Sequence, residues 1–162
     1  MPIALLTMLA RRRSYAAVAL MTMIGAGFCA PPASAALGDL AASVAQDTVS
    51  MKASHRIAAG RNYTLHELQT PEGVTIREFV SSAGVVFAIA WQGPFKPSMR
   101  LMLGTHFEQY ASAAPTADSA RSHMRIEQPD LVVRSSGHMR YFSGVAWLPQ
   151  LLPAGVAEGD LK

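Results

Sequence analysis

The sequence has almost no cysteine: Cys29 is the only one, and it lies in an apolar run near the N-terminus. Residues 36–162 therefore carry no thiol, which excludes disulfides, thiolate nucleophiles and cysteine-based metal sites there. Neither sign of charge is in excess in this part of the chain. Three of the 14 Lys and Arg residues are Arg11–Arg13, so residues 36–162 carry eleven basic residues against all 11 acidic ones. This balance removes the basic surface on which a nucleic-acid-binding function depends.

The common catalytic and nucleotide-binding motifs are also missing. The chain contains no G-x-S-x-G, H-E-x-x-H or G-x-x-x-x-G-K-[ST] segment, and no G-x-G-x-x-G after a strand pattern. Its histidines are His55, His66, His106, His123 and His138. No two of them have the i, i+4 or i, i+2 spacing that would place a pair of metal ligands on one helix or one strand. We therefore expect no metal site and no cofactor. A histidine-based metal site stays open only if separate elements bring at least three imidazoles or carboxylates within coordination distance.

The first 35 residues have the layout of a secretory signal peptide. A basic stretch, Arg11–Arg13, precedes the apolar run Tyr15–Ala30, the helix-breaking pair Pro31-Pro32 and the small-residue tripeptide Ala33-Ser34-Ala35. The apolar run is shorter than the roughly 20 residues that a bilayer-spanning helix needs. The segment is therefore predicted to be removed rather than retained in a membrane.

The predicted cleavage site lies between Ala35 and Ala36. Translation starting at Met1 or at Met8 is compatible with this site, and both starts remain open. We expect the released chain to be periplasmic or secreted in a bacterium and to meet a membrane only through the transient signal peptide.

Residues 36–162 are predicted to form a single α+β domain. Hydrophobic periodicity indicates a helix, a three-stranded antiparallel meander, a second helix and a second block of strands. The predicted helices cover residues 39–52 and 98–113, and the predicted strands cover 63–69, 74–80, 85–91, 123–128, 131–135 and 138–148. In the first helix, Leu40, Val44 and either Asp47 or Thr48 recur at helical spacing. The strand blocks end in Ile89-Ala90-Trp91 and Val145-Ala146-Trp147, which leaves an internal duplication open.

A cationic cluster is the most suggestive feature of the C-terminal half. It consists of Arg121, His123, Arg125, Arg134, His138 and Arg140. With a turn at Ser136-Gly137, strand alternation places His138 and Arg140 on one face of the last strand, as it places His123 and Arg125 on one face of theirs.

Arg125, Arg134, His138 and Arg140 are accordingly the candidate anion-binding residues, because guanidinium groups bind carboxylates and phosphates. The alternative is an exposed sheet surface on which the arginines make local ion pairs. We favour the alternative, since arginine side chains often cover such surfaces.

A second possible site combines His66 and Glu67 with Glu78 on the neighbouring strand as an acid/base pair. Adjacent residues of a strand point to opposite faces, so His66 and Glu67 cannot act together directly. We therefore prefer to treat all three as ordinary half-exposed strand residues.

Most of residues 36–162 resembles a known family. The segments that carry the likeness are YTLHELQTPEGVTIREFVSSAGVVFAIAWQGP (63–94), RLMLGTHFEQY (100–110) and DLVVRSSGHMRYFSGVAWLPQLLPAGV (130–156). They resemble the exported bacterial proteins grouped as domain of unknown function 2844. The resemblance implies export, and it brings no assigned activity and no catalytic residues.

Two functional hypotheses follow. The preferred one is a non-enzymatic binding module whose partner is an envelope protein or an anionic ligand. The order of helix and meander also resembles that of small exported PepSY modules, which act by binding, although likeness of fold alone is weak evidence of function. The alternative is a hydrolase or transferase that acts on an anionic envelope substrate through the Arg/His cluster.

Overall fold

The structure is a computed structural model that describes residues 36–114 and 123–162. The predicted signal peptide, residues 1–35, lies outside the described residues, as does Arg121 of the cationic cluster. No helix of the described part is long and apolar enough to cross a membrane.

One antiparallel sheet dominates the described residues. Its strands are β1 (Ser54–Ala59), β2 (Tyr63–Gln69), β3 (Thr75–Ser81), β4 (Val86–Gly93), β5 (His123–Glu127), β6 (Val132–His138) and β7 (Tyr141–Trp147). The order across the sheet is β1-β2-β3-β4-β7-β6-β5, and every neighbouring pair is antiparallel. The two predicted strand blocks thus join through β4 and β7 in one sheet, and the α+β prediction is confirmed.

Strand β1 is absent from the sequence-based prediction. All six of its residues are exposed, so neither face shows the alternation of apolar and polar residues that indicates a half-buried strand. The strand exists because its backbone pairs with β2 from Ser54 opposite Gln69 to Ala59 opposite Thr64.

Three short helices and the C-terminal tail cover opposite sides of the sheet. Helices α1 (Val44–Ser50), α2 (Met99–Leu103) and α3 (Phe107–Ala113) contribute to a core with Ile76, Ile89 and Trp91. We call this side the helix face. On the other side, the tail face, Val156 and Leu161 of residues 149–162 pack on Phe79, Phe87 and Trp147. Burying each of these large side chains contributes about 1.5–3 kcal/mol to stability.

The two similar tripeptides are not structurally equivalent. Trp91 packs in the core of the helix face, whereas Trp147 packs in the cluster of the tail face. Both tryptophans are buried. The shared apolar-Ala-Trp pattern thus places its tryptophan side chain on opposite faces of the sheet in the two strands.

The predicted helix 98–113 is interrupted at Gly104. This residue has a φ of 50°, which ends α2, and a 3-10 turn over Gly104–His106 leads into α3. A Cβ atom at this position would clash with the side chain of Ala36. The glycine is therefore required both by its backbone conformation and by the close approach of the chain at Ala36.

The β6–β7 turn lies at Met139-Arg140, so its prediction at Ser136-Gly137 is wrong. Ser136 and Gly137 pair with Ser143 and Phe142 inside the hairpin. A Cβ atom on Gly137 would lie 2.8 Å from Cδ1 of Phe142, so the glycine leaves room for the aromatic ring on the neighbouring strand. A dipeptide typical of turns here serves packing within a strand pair.

Candidate functional site

The structure brings two of the four predicted anion-binding residues together. Arg125 of β5 and Arg134 of β6 are directly opposite each other in the sheet. Both contact Glu127: Nε of Arg125 lies 2.7 Å, and Nη2 of Arg134 lies 3.0 Å, from Oε1 of that carboxylate. Nη1 of Arg134 also donates to Oε2 of Glu158 at 2.8 Å. Two carboxylates thus neutralise the two guanidinium groups.

Arg134 also makes a contact with an aromatic ring. The guanidinium of Arg134 lies 5.0 Å from the ring centroid of Trp147, within the range of a cation–π contact. The hydrogen bonds from Arg125 and then from Arg134 lower the pKa of Glu127. This is the pattern of local ion pairs on an exposed sheet surface. It leaves little uncompensated positive charge to attract an anion.

The other two predicted residues lie at the tip of the β6–β7 hairpin. His138 is the last residue of β6, and Arg140 is in the turn with a φ of 63°. The expectation that they share one face of a strand is therefore wrong, because it depended on the misplaced turn. A surface concavity of about 380 Å³ over β5–β7 is lined by Arg125 and Arg134 but not by His138 or Arg140.

Glu78 lies in an environment different from the one predicted. It was expected to be half-exposed, yet it is only 2% exposed, and Asp47 of α1 is only 3% exposed. Helical spacing explains the position of Asp47, which follows the buried Val44 by one turn and shares its inward-facing side. Two carboxyl groups are thus enclosed between α1 and the sheet.

Burial, and secondly the charge of Asp47, raise the pKa of Glu78 to about 8. Its Oε2 atom is buried and has no hydrogen-bond partner among the described residues. A strongly shifted pKa often marks a catalytic acid or base, which must also be accessible to a substrate. Neither the concavity over β5–β7 nor a second one of about 470 Å³ beside α1 and α2 is lined by either carboxyl group. We therefore treat Glu78 and Asp47 as groups that affect the stability of the folded state.

His66 lies directly opposite Glu78 on the helix face, while Glu67 points to the tail face. The imidazole of His66 is hydrogen bonded to that of His55 on β1, with 3.1 Å between Nδ1 and Nε2. Burial and the charge of His55 lower the pKa of His66. No group of three or more potential metal ligands was found among the described residues.

Strand β1 forms one edge of the sheet, and all six of its residues are exposed. Within the described residues, β1 pairs with β2 alone. Gly60 N donates to Tyr63 O at 2.9 Å, and this bond determines which β1 residues direct their backbone groups toward β2. By alternation, the backbone groups of Ser54, Arg56 and Ala58 point toward β2, and those of His55, Ile57 and Ala59 point outward.

The two edges of the sheet differ in protection. At β5, Gln128 N donates to Leu131 O, just before β6. By alternation from this bonded pair, the backbone groups of His123, Arg125 and Glu127 point outward, away from β6. Charged side chains therefore flank that edge and oppose the addition of another strand. β1 has no lysine, proline or bulge, and its central residue Ile57 is 60% exposed.

The comparisons with known proteins give one match. The family model described as Protein of unknown function (DUF2844) matches residues 33–161. No curated protein and no solved structure matches the chain.

Proposed function

This chain belongs to the family described as domain of unknown function 2844, and within that family we propose that it is an exported, non-enzymatic binding protein. It acts in the bacterial periplasm or outside the cell after removal of residues 1–35. Its binding element is the outer edge of β1, which accepts an extended protein segment as an additional strand. A membrane is involved only through the transient signal peptide.

The observation that carries this proposal is the unprotected edge of β1. Three consecutive outward-facing positions, His55, Ile57 and Ala59, offer backbone donors and acceptors to a new strand. Natural proteins usually protect such an edge with lysine, proline, a bulge or a covering element. β1 has none of the first three, and no described element covers it. Its one formally charged side chain, Arg56, is bound to Glu67 on β2.

The alternative, a hydrolase or transferase acting on an anionic envelope substrate, has less support. Its proposed cluster is reduced to Arg125 and Arg134, and both guanidinium groups already bind Glu127. An anionic substrate would have to compete with Glu127 and Glu158 for these arginines.

Proline substitution on β1 tests the binding element. Ile57→Pro removes one outward-facing N–H and no hydrogen bond to β2, so the fold is retained while strand addition is blocked. Ile57→Ala is the matched control, because it truncates the side chain and keeps the N–H group. We expect an envelope partner captured by the wild type to be lost with Ile57→Pro and kept with Ile57→Ala. Equal capture by all three proteins would exclude the β1 edge as the binding element.

Export is tested separately by the intact mass and N-terminal sequence of the protein from fractionated bacteria. We expect a periplasmic or secreted chain that begins at Ala36. A full-length chain confined to the cytosol would refute the export part of the proposal.

A further inference from the structure

We propose that a second copy of this chain occupies the β1 edge, so that two β1 strands pair antiparallel about a two-fold axis at Ile57. This inference rests on the proposed binding role of the β1 edge and names its occupant. The two sheets then join into one continuous sheet that crosses the dimer.

The backbone of β1 is self-complementary. Its outward-facing residues, His55, Ile57 and Ala59, are symmetric about Ile57. In the antiparallel register centred there, Ile57 pairs with Ile57 of the second copy, and His55 pairs with Ala59 at each end. Each of these pairs exchanges two backbone hydrogen bonds, as closely spaced antiparallel pairs do. A register centred on His55 or on Ala59 leaves at least one outward-facing residue of each strand without a strand partner.

The side chains favour the same register. On the helix face, the 60% exposed side chain of Ile57 contacts its counterpart across the axis and loses exposed apolar surface. On the tail face, Arg56 lies opposite Ala58 of the second copy, so no like charges are directly opposed. The guanidinium of Arg56 is already bound to Glu67, with 2.9 Å between Nη2 and Oε1.

The overall charge also permits association. Residues 36–162 carry equal numbers of Lys and Arg and of Asp and Glu. A protein with a net charge near zero has little long-range repulsion between its copies. The pairing involves one short strand from each copy, so we expect a reversible dimer rather than a permanent one.

Sedimentation equilibrium tests the dimer. The sample is the protein as it is purified from the bacteria that express it. We expect the mass of the wild type to rise from one to two protomers between micromolar and millimolar concentration. Ile57→Pro should remain monomeric because it lacks the central N–H. Ile57→Lys should also remain monomeric, because two ammonium groups would face each other across the axis while the backbone stays intact. A dimer that persists in both variants would overturn the proposal.

Cysteine cross-linking tests the register. In a Cys29→Ser background, Ile57→Cys places two thiols across the axis, close enough to form a disulfide after small adjustments. Met139→Cys is the control, because Met139 is 91% exposed at the tip of the β6–β7 hairpin. Oxidation should give a disulfide-linked dimer with Ile57→Cys only. Equal cross-linking at both positions would indicate random collision and overturn the register.

The dimer and the broader binding role can fail separately. A wild type that is monomeric at every concentration, but captures another protein in an Ile57→Pro-sensitive way, overturns the dimer and retains the role of the edge. A monomer that captures nothing overturns both.

Discussion

Replacing Glu78 by glutamine is expected to change how the stability of this protein depends on pH. Glutamine has nearly the same shape as glutamic acid but cannot ionise. In the folded protein the pKa of Glu78 is raised from 4.5 to about 8, chiefly by burial. Between these two values the folded state keeps a proton that the unfolded state releases. Stability contributed by this group is therefore complete below pH 4.5 and is lost as pH rises toward 8.

The size of the loss follows from the same two pKa values. One unit of pKa shift corresponds to about 1.4 kcal/mol, and raising the pH from about 5 to about 7.5 costs the wild type about 3 kcal/mol through Glu78. The lowered pKa of His66 and that of Glu67 act in the opposite direction, making stability rise with pH. Both groups remain in the variant, so their contributions cancel when the two proteins are compared.

The measurement is the free energy of unfolding in urea at a series of pH values, for the wild type and for Glu78→Gln. We expect the free energy of unfolding of the variant, relative to that of the wild type, to increase by about 3 kcal/mol between about pH 5 and about pH 7.5. The change with pH decides the test, because any constant offset reflects only how well the amide packs. Parallel curves for the two proteins would refute the assignment of Glu78 as a buried acid that is neutral at pH 7.

Two further predictions concern neighbouring parts of the fold. Asp47→Asn removes the charge that adds to the effect of burial on the pKa of Glu78. The midpoint of the stability loss through Glu78, measured by the same urea titrations, should therefore move to lower pH without reaching 4.5. An unchanged midpoint would mean that Asp47 does not influence Glu78. Gly104→Ala should lower the free energy of unfolding by about 3 kcal/mol, because it combines a positive φ with the clash against Ala36. Gly84→Ala is its control, with a φ of 77° and open space around the added methyl group, and should cost only about 1 kcal/mol. Equal losses for the two glycine variants would show that contact with Ala36 contributes nothing.

The fold was predictable where side-chain patterns report local structure. Strands β2, β3 and β4 follow from alternation and from the turns between them, and the predicted bounds agree with the structure to within two residues. β1 was missed because an edge strand exposed on both faces carries no hydrophobic period. The β6–β7 turn was misplaced because Gly137, a typical turn residue, is needed there to accommodate Phe142. In each case a neighbouring strand determined the conformation.

The candidate site was less predictable than the fold. The sequence identified the arginines of the cationic cluster, but the ion pairs that neutralise Arg134 include Glu158, which lies far along the chain in the C-terminal tail. Similarly, nothing near Glu78 in the sequence indicates a buried carboxyl group. Its burial results from the packing of α1, which brings Asp47 over the sheet.

By itself, the sequence determined the family resemblance, the predicted export signal, the absence of thiols from residues 36–162 and the α+β composition of the domain. These properties depend on composition and on short-range periodicity, which a linear chain displays directly. Only the tertiary structure decided which charges meet, which carboxyl groups lie in the core and which strand is left with an open edge. Those properties depend on distances between residues that are remote in the chain, because strand pairing and helix packing alone bring such residues together.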